Sequence, residues 1–226
     1  MAKEPRKTQW KQDPDTVKAD ILRVAVEQFA AHGLTGARID EIAKQTATSK
    51  RMIYYYFGDK EGLYRAALEM HYRQVREGEG QFVVSVTDPV QALRDLVEFS
   101  FDFHAENPNF VRLIAIENTH HGKYLEHSDV IRQLNQRAVD TVAEIYSKGV
   151  EEGVFRAGCV PVEVHWAISA LCFYNVSNQH TFKLGFGARV HSPEGQKAIR
   201  RNVADMIVQS VMTPEALARD LASRGQ

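Results

Sequence analysis

The sequence is poor in the features that mark secreted, zinc-binding and membrane-spanning proteins. Its 226 residues include only two cysteines, Cys159 and Cys172, and neither belongs to a CxxC pair. This excludes a disulfide framework and a zinc ribbon and fits two reduced thiols. The chain has no run of 18 apolar residues, and its first residues lack the apolar core of a signal peptide. We therefore expect a cytoplasmic protein with no membrane partner.

Net charge is also nearly absent, but its distribution is uneven. The formal net charge is −1, which excludes a chain that is basic throughout. Residues 1–77 carry 14 Lys and Arg against 11 Asp and Glu, whereas residues 78–226 carry 14 against 18. A basic N-terminal part on a mildly acidic remainder predicts an anionic partner at one end of the chain.

Apolar residues recur at helical spacing along most of the chain, and no segment alternates with the period of two that strands require. The predicted fold class is therefore all-α. Residues 1–14 form a polar, basic arm, which is either an inert tail or a contact to phosphates or the minor groove. Residues 15–62 are predicted to be a three-helix domain, and residues 63–226 a larger helical domain.

The N-terminal helices carry local start and stop signals. The first begins near Thr16, and Gly33 can supply a left-handed C-cap. The second begins at Ile39 and stops near Thr46. The third, Lys50–Phe57, can be capped by one of the two hydroxyl residues that precede it, Thr48 or Ser49. Gly58 ends this helix, and Asp59 can cap a fourth.

Two short helices joined by a tight turn at Ala47-Thr48 form a helix-turn-helix at about residues 38–57. The first helix braces the second, which is narrow enough to enter the major groove of DNA. The positions expected to be buried in this brace are Ile42, Ala43 and Ile53. The alternative is a helix-turn-helix that serves only as structure.

The second helix of this motif has an unusual composition for a surface helix. Lys50 and Arg51 are followed within a turn by three consecutive tyrosines. Arginine can donate two hydrogen bonds to guanine, and tyrosine can contact phosphates and thymine methyl groups. The N-terminal end of this helix points into the groove in such motifs. The predicted DNA-binding residues are Arg38, Thr48, Ser49, Lys50, Arg51, Tyr54, Tyr55, Tyr56 and Lys60.

Residues 17–65 resemble the TetR family of regulators. The residues that carry the resemblance are Ile39–Ala43, Ser49, Ile53–Phe57 and Asp59–Leu63. The resemblance implies a sequence-specific transcriptional regulator, a repressor released from its operator by a small-molecule effector. It also implies a homodimer that binds double-stranded DNA at a palindromic operator.

Two positions depart from the family pattern. Ala37-Arg38 stands where the family often has a threonine, so a helix cap is lost, although Arg38 can still reach a phosphate. Ala47 stands at the turn in place of a glycine, which can strain the turn.

By the same resemblance, residues 63–226 bind an effector and mediate dimerisation. The candidate effector-binding residues are Phe103, Arg112, Asn118, Phe173, Asn175, Gln179 and His180. Arg112 lies in an apolar run and could pair with a ligand carboxylate, with Glu117, or face solvent. The segments 49–55 and 180–187 are similar to a subgroup that senses small planar nitrogen heterocycles and acids.

The later helices are predicted less sharply. We expect one helix from Val160 to Phe182, a loop at Leu184–Gly187, a helix over Pro193–Met212 and a frayed turn around Asp220. Two apolar stripes either pair with their two-fold copies in a dimer or form the core of a single domain. Their residues are Val164, Ile168, Leu171 and Cys172 in the first stripe, and Ile199, Val203, Met206, Ile207 and Ser210 in the second.

Glu117, His120 and His121 are the one cluster that suggests a metal or an enzyme. Glu and His three residues apart share a helix face and can bind a metal together. The next helix offers no matching Glu-x-x-His, and no catalytic constellation is complete. We therefore expect no metal, no cofactor and no enzymatic activity.

Overall fold

The computed structural model describes residues 13–46, 48–80, 82, 87–126 and 128–224. Within them the chain forms α-helices and one 3₁₀ helix at Arg189–His191. The α-helices are α1 (Pro14–Gly36), α2 (Ile39–Gln45), α3 (Lys50–Phe57), α4 (Lys60–Gly80), α5 (Pro89–Glu106), α6 (Pro108–Thr119), α7 (Asp129–Glu151), α8 (Pro161–Ser177), α9 (Gln179–Phe186), α10 (Pro193–Val211) and α11 (Pro214–Arg224). Strand-like pairing in the described residues is limited to an isolated bridge between Phe155 and Met212, so the predicted all-α class is confirmed.

Two predictions fall on residues that the structure does not describe. They are the basic arm, for all but its last two residues, and the turn residue Ala47. Where the chain is described, no helix is both long enough and apolar enough to cross a membrane.

The chain divides into two compact units, residues 1–67 and 68–226. The division falls within α4, the helix that also contains the predicted boundary after residue 62. The two units are described separately below.

The first unit begins with a capped helix that bends at a glycine. The Asp13 carboxylate accepts a hydrogen bond from the Thr16 backbone N–H at 3.2 Å, which satisfies a free donor at the start of α1. Gly33 has φ 67° and ψ 176°, a conformation open essentially to glycine alone. Gly33 therefore has the predicted positive φ, but it kinks α1, which continues to Gly36, instead of ending the helix.

The core of this unit is built from α1 to α4. Ile21, Phe29, Ile42, Ile53 and Leu63 are fully buried. Burial of such a side chain stabilises the fold by about 1.5–3 kcal/mol. Ala43, predicted to be buried with them, is only half-buried, so that prediction is wrong. Because α2 has only two turns, its buried stripe is taken up by isoleucines, and Ala43 lies at the edge of that stripe.

The second unit is built around a core shared by α5, α7, α8 and α10. Ion pairs reinforce the contact of α5 with α10. The Arg200 guanidinium donates to Asp102 at 2.7 Å and to Glu98 at 2.6 Å, and Arg94 pairs with Asp205 at 2.7 Å. α5 and α10 are thus held both by apolar packing and by charge.

The predicted helix Val160–Phe182 and the predicted loop after it are both wrong. α8 ends at Ser177, and a separate α9 continues to Phe186 through Gly185. Glycine inside a helix costs about 1 kcal/mol relative to alanine. The rings of Phe182 and Phe186, four residues apart with centroids at 4.8 Å, offset part of that cost.

The predicted frayed C-terminal turn is instead a helix, α11. Pro214 occupies its first position, and the Thr213 hydroxyl accepts from the Ala216 backbone N–H at 3.3 Å. A threonine cap followed by proline at the first helical position is a helix-start signal that the sequence already contained.

Most residues of the two apolar stripes proposed for dimerisation belong to the core of one unit. Val164, Ile168 and Cys172 on α8 are buried, as are Val203 and Ile207 on α10, all within the same cluster. The intradomain alternative is therefore the correct one for these residues. Met206 and Ser210 of the α10 stripe are exposed instead, so this edge of the stripe remains open to a partner.

Candidate nucleic-acid interface and internal cavity

Both ends of α3 are fixed by local hydrogen bonds. The Ser49 hydroxyl accepts from the Met52 backbone N–H at 3.3 Å, which confirms Ser49 as the N-cap. At the other end, Gly58 has φ 78° and its N–H donates to the Tyr54 carbonyl at 2.8 Å. The Asp59 carboxylate then accepts from the Gly62 N–H at 2.7 Å, as predicted for the cap of α4. The orientation of α3 is therefore set by a few residues on either side.

One face of α3 is buried and the opposite face is open. Ile53 is fully buried, whereas Tyr55 is 77 % exposed and Tyr54 is 38 % exposed. Lys50 and Arg51 are exposed as well. The open face thus presents two cations and two phenol rings from a helix anchored at its centre. This is the arrangement by which a helix can enter the major groove.

The residues that flank α3 add cations and hydroxyl groups around it. Arg38 and Ser49 are exposed, and Thr48 and Tyr56 are half-buried. The Lys60 ammonium donates to the Thr35 carbonyl at 3.1 Å. Arg38, Ser49 and Lys60 lie at helix starts, where the helix dipole favours a phosphate, whereas Tyr56 lies near the end of α3.

Lys50, one of the predicted DNA-binding residues, is engaged in an ion pair. The Lys50 ammonium lies 3.1 Å from the Asp40 carboxylate, and both side chains are about half exposed. An exposed pair of this kind contributes about 0–1 kcal/mol. A contact with DNA can therefore draw Lys50 away from Asp40 at little cost.

The second unit contains a cavity of about 310 Å³. Residues of α4, α5, α6, α7 and α8 line it. The aromatic residues of the lining are Tyr72, Phe110, Trp166 and Phe173, and the polar residues are Arg76, Glu79, Ser100, His104, Asn118, Asn135, His165 and Ser169. A mostly apolar wall with a few converging polar groups is typical of a small-molecule site.

The ionisable groups of this cavity are strongly affected by burial. Arg76 forms an ion pair with Glu79 one turn along α4, and both side chains are nearly buried. Burial raises the pKa of Glu79, while Arg76 lowers it in part. Burial, followed by the charge of Arg76, lowers the pKa of His165 to about 4. Burial also lowers the pKa of His104, so both imidazoles are neutral at pH 7.

The predicted effector-binding residues divide between this cavity and other places. Asn118 and Phe173 line it. Phe103 is not one of the lining residues, and its ring lies 6.2 Å from that of Phe110, which lines the cavity. Arg112 and His180 are exposed and Gln179 is half-buried, and none of the three lines the cavity.

Asn175 lines a second, smaller cavity of about 220 Å³. Its amide donates to Gln196 at 2.8 Å and accepts from the same side chain at 3.1 Å. These reciprocal bonds join α8 to α10, so the amide group of Asn175 already has its partners. Asn175 therefore has a structural role in this conformation.

Sequence analysis missed the contribution of α4. Tyr72, Arg76 and Glu79 lie four and three residues apart and therefore share a helix face. Val75, which also lines the cavity, is buried beside them. Charged residues interrupting the apolar face of a helix were the available signal. His165 of α8, which also lines the cavity, was overlooked in the same way.

Glu117 has a structural role in a turn. Its carboxylate is buried and accepts from the backbone N–H groups of Tyr124 at 2.7 Å and Leu125 at 3.3 Å. His120 and His121 are exposed. Within the described residues, no three His, Cys, Asp or Glu side chains are grouped as metal ligands.

The neutral His165 makes the stability of the second unit pH-dependent. Its pKa is about 4 in the folded chain against 6.5 ordinarily, so between these values the unfolded chain binds the extra proton. Stability contributed by this group is therefore intact above pH 6.5 and falls with decreasing pH, by about 1.4 kcal/mol per unit and about 3 kcal/mol in total. His104 acts in the same direction, and Glu79, with its raised pKa, opposes it.

Urea unfolding at pH 7.5, 6 and 5 measures this dependence. We expect His165→Gln to lose less stability than the wild type between pH 6.5 and 5, because the amide does not titrate. An equal loss in both proteins would show that His165 is not held neutral.

Comparison with known proteins decides the family. The family model described as "Bacterial regulatory proteins, tetR family" matches residues 21–67. A second family model, described as "Tetracyclin repressor-like, C-terminal domain", matches residues 89–207, which is more than half of the chain. The chain belongs to the TetR family. It is therefore a DNA-binding transcriptional regulator and not an enzyme. TetR regulators bind DNA operators and small-molecule effectors and function as dimers.

Curated relatives in the TetR family include named repressors. The chain is 37% identical over 170 residues to the HTH-type transcriptional repressor NicS of Pseudomonas putida, covering 75% of this chain and 80% of NicS. It is 32% identical to the HTH-type transcriptional repressor SCO4008 of Streptomyces coelicolor, over 61% of this chain and 69% of the relative.

A solved structure shows the same fold. A TetR family transcription regulator from Marinobacter aquaeolei aligns with a TM-score of 0.67 at 19% identity, covering 88% of this chain and 96% of that one.

Proposed function

We propose that this TetR regulator is a sequence-specific repressor, located in the cytoplasm, that binds a palindromic operator as a homodimer and is released by a small molecule. The observation that carries the proposal is the open face of α3, where Arg51, Tyr54 and Tyr55 project from a helix anchored by the buried Ile53. Several relatives, NicS among them, are named repressors, which favours repression over activation.

We assign separate contacts to the residues of the motif. Lys50, Arg51 and Tyr55 read bases, since they lie on the open face of α3. The residues assigned to phosphates are Arg38, Thr48, Ser49, Tyr56 and Lys60. Tyr54, less exposed than Tyr55, contacts the edge of the groove.

Control by a ligand is assigned to the 310 Å³ cavity. α4 begins at Lys60, among the assigned phosphate contacts, and contributes Tyr72, Arg76 and Glu79 to the cavity wall. A ligand that moves α4 would change the position of the groove-binding helices. Such a ligand shifts the equilibrium between the DNA-bound and DNA-free forms only to the extent that it binds the DNA-free form more tightly than the DNA-bound form.

The dimer interface is assigned to the outer faces of α8 and α10. Val162 and Tyr174 on α8 and Met206 on α10 are each about half exposed although apolar or aromatic. Exposed apolar patches mark interaction surfaces, and Tyr174 and Met206 both line the cavity of about 220 Å³. A two-fold axis between these faces brings the same residues of both copies together.

Met206→Glu tests this interface. Two-fold symmetry places two new charges in one interface, so we expect at least about a tenfold weaker dimer. Leu221→Glu on α11 is the matched control, since Leu221 is 53 % exposed and Met206 is 52 % exposed. Analytical ultracentrifugation measures both; equal dimerisation of the two variants would exclude this face.

The experiment that tests the proposed function is DNA binding with footprinting. Purified protein is titrated onto labelled DNA from the region upstream of its own gene and onto unrelated DNA of equal length. We expect preferential binding and two protected half-sites about one helical turn, or a multiple of it, apart. Equal affinity for both DNAs, with no ligand able to release either, would instead indicate a non-specific, nucleoid-type binder.

A further inference from the structure

We propose that the 310 Å³ cavity binds a small, flat aromatic carboxylate, with the carboxylate on Arg76 and a hydrogen-bond donor of the ligand on His104. This inference rests on the proposed function of the cavity as the effector site. It adds the chemical class of the effector and the residues that select it.

Arg76 is the residue of the cavity that favours an anionic ligand. Its side chain is 9 % exposed, and its Nη1 pairs with Glu79. Its Nε is buried and has no hydrogen-bond partner among the described residues. Nε and Nη2 form the edge of a guanidinium that binds a carboxylate through two parallel hydrogen bonds. A buried donor without a partner is costly, so an acceptor supplied by a ligand is favoured there.

The charge balance of the lining favours one negative charge on the ligand. Arg76 is the one cation among the described residues that line the cavity, because His104 and His165 are neutral at pH 7. The other groups of the wall that can ionise are Tyr72 and Glu79, both on α4. Arg76 would repel a cationic ligand, and a dianion would have only one positive charge to balance its two negative charges. A monoanion can share Arg76 with Glu79, whose pKa is raised by burial and which accepts a proton more readily than an exposed glutamate.

His104 supplies the second polar contact. Its Nδ1 lies 2.6 Å from the Ser100 carbonyl oxygen. A carbonyl can only accept, so Nδ1 carries the proton and donates it to this bond. Nε2 of the neutral ring is then an acceptor. A ligand hydroxyl or ring N–H is the complementary group.

The walls favour a ring over an extended chain. Tyr72 and Phe110 meet edge to face with their centroids 5.4 Å apart, and Trp166 and Phe173 belong to the α8 side. Aromatic rings prefer offset or edge contacts with one another, which a flat ligand can make on several sides. The volume of about 310 Å³ lies at the lower limit for small-molecule sites. It suits one ring with small substituents and excludes a long acyl chain.

Calorimetry of the full-length wild-type dimer is the first measurement. The probes are benzoate, the hydroxybenzoates and the pyridine carboxylates, each compared with its uncharged amide; decanoate tests an acyl chain. We expect at least one aromatic acid to bind at least tenfold more tightly than its amide, and no heat from decanoate. Equal binding of acids and amides, or no binding of any acid at millimolar concentration, would overturn the proposal.

Variants then locate the carboxylate. Glu79→Gln removes the competing acceptor and is expected to tighten acid binding severalfold. Arg76→Met combined with Glu79→Gln leaves no buried charge unpaired and should weaken acid binding at least tenfold relative to Glu79→Gln alone, with little effect on the amide. Arg112→Met is the matched control, because Arg112 is exposed and lies outside the cavity. Loss of binding in Arg112→Met, or unchanged binding in the double variant, would contradict the assignment.

Operator release separates this inference from the proposed function. If an aromatic acid binds through Arg76 but leaves the DNA complex intact, the ligand class stands and the proposed release fails. If only an uncharged compound binds and releases DNA, the proposed release stands and the ligand class is wrong.

Discussion

Gly62→Ala is expected to destabilise the DNA-binding unit by about 2–4 kcal/mol. A Cβ at this position would lie 2.1 Å from the Phe57 carbonyl oxygen and 3.3 Å from the Asp59 carboxylate. The first is a backbone atom at the end of α3, so relief requires movement of the whole turn. The same turn holds the hydrogen bond from the Gly62 N–H to Asp59. The change should therefore disturb the orientation of α3 as well as stability.

Gly80→Ala is the matched control for this prediction. It lies in the same helix, and a Cβ there would meet no atom of the described residues within 4 Å. We expect its stability to be unchanged or slightly higher, since alanine is the better helix former. Thermal and urea unfolding measure both variants. Equal stability of Gly62→Ala and the wild type would show that the α3–α4 turn is not as tight as described.

The double substitution Arg51→Ala and Tyr55→Ala should weaken operator binding at least about 30-fold per protomer. Each base contact contributes about 1–3 kcal/mol, so the loss of two contacts at the lower limit of that range corresponds to about 30-fold. Tyr55 is 77 % exposed and Arg51 is exposed, so neither removal opens a cavity in the core. Folding stability should thus stay close to that of the wild type, and a dimer loses the contacts twice.

Arg137→Ala controls for the loss of charge alone. Arg137 is an exposed residue of α7 in the second unit, outside the predicted interface. Fluorescence anisotropy on the operator and on unrelated DNA gives the affinity and the preference. We expect the double variant to lose its preference and Arg137→Ala to keep it. Unchanged operator affinity in the double variant would remove α3 from the interface.

The DNA-binding motif was predictable because its signals are local. Ser49 as cap, Gly58 as stop and Asp59 as the next cap each act within four residues of their own position. The same applies to Ile42 and Ile53 as buried positions. The prediction failed at Ala43, because the burial of this residue depends on the width of the buried face of α2 and not on the residue type.

The cavity was only partly predictable because it is assembled from five helices. Asn118 and Phe173 were found among polar and aromatic residues of their segments, whereas Arg76 was not considered and Arg112 was left open between a ligand contact, a pair with Glu117 and solvent. Arg112 lies in an apolar run, whereas Arg76 stands among polar and charged residues, with Gln74, Glu77 and Glu79 close to it in sequence. Only tertiary packing places Arg76 in the interior and Arg112 at the surface.

The role of the two apolar stripes of α8 and α10 was only partly predictable, for a related reason. An apolar helix face is needed equally by a domain core and by a partner, and the sequence pattern is the same for both. Val164 and Ile168 went to the core, and the opposite face of α8, with Val162 and Tyr174, remained exposed. α8 is apolar or aromatic on two sides, which a single predicted stripe did not capture.

The most direct test of the account is the affinity of the effector measured with and without the operator. If the cavity controls DNA binding, the effector and the operator must each weaken the binding of the other by the same factor. Thermodynamic linkage requires this reciprocity. Calorimetry with an identified cavity ligand is performed on the free dimer and on the dimer saturated with operator DNA. We expect weaker ligand binding on DNA, by the factor through which the ligand lowers DNA affinity. Equal ligand affinity in both states would contradict control of DNA binding from this cavity.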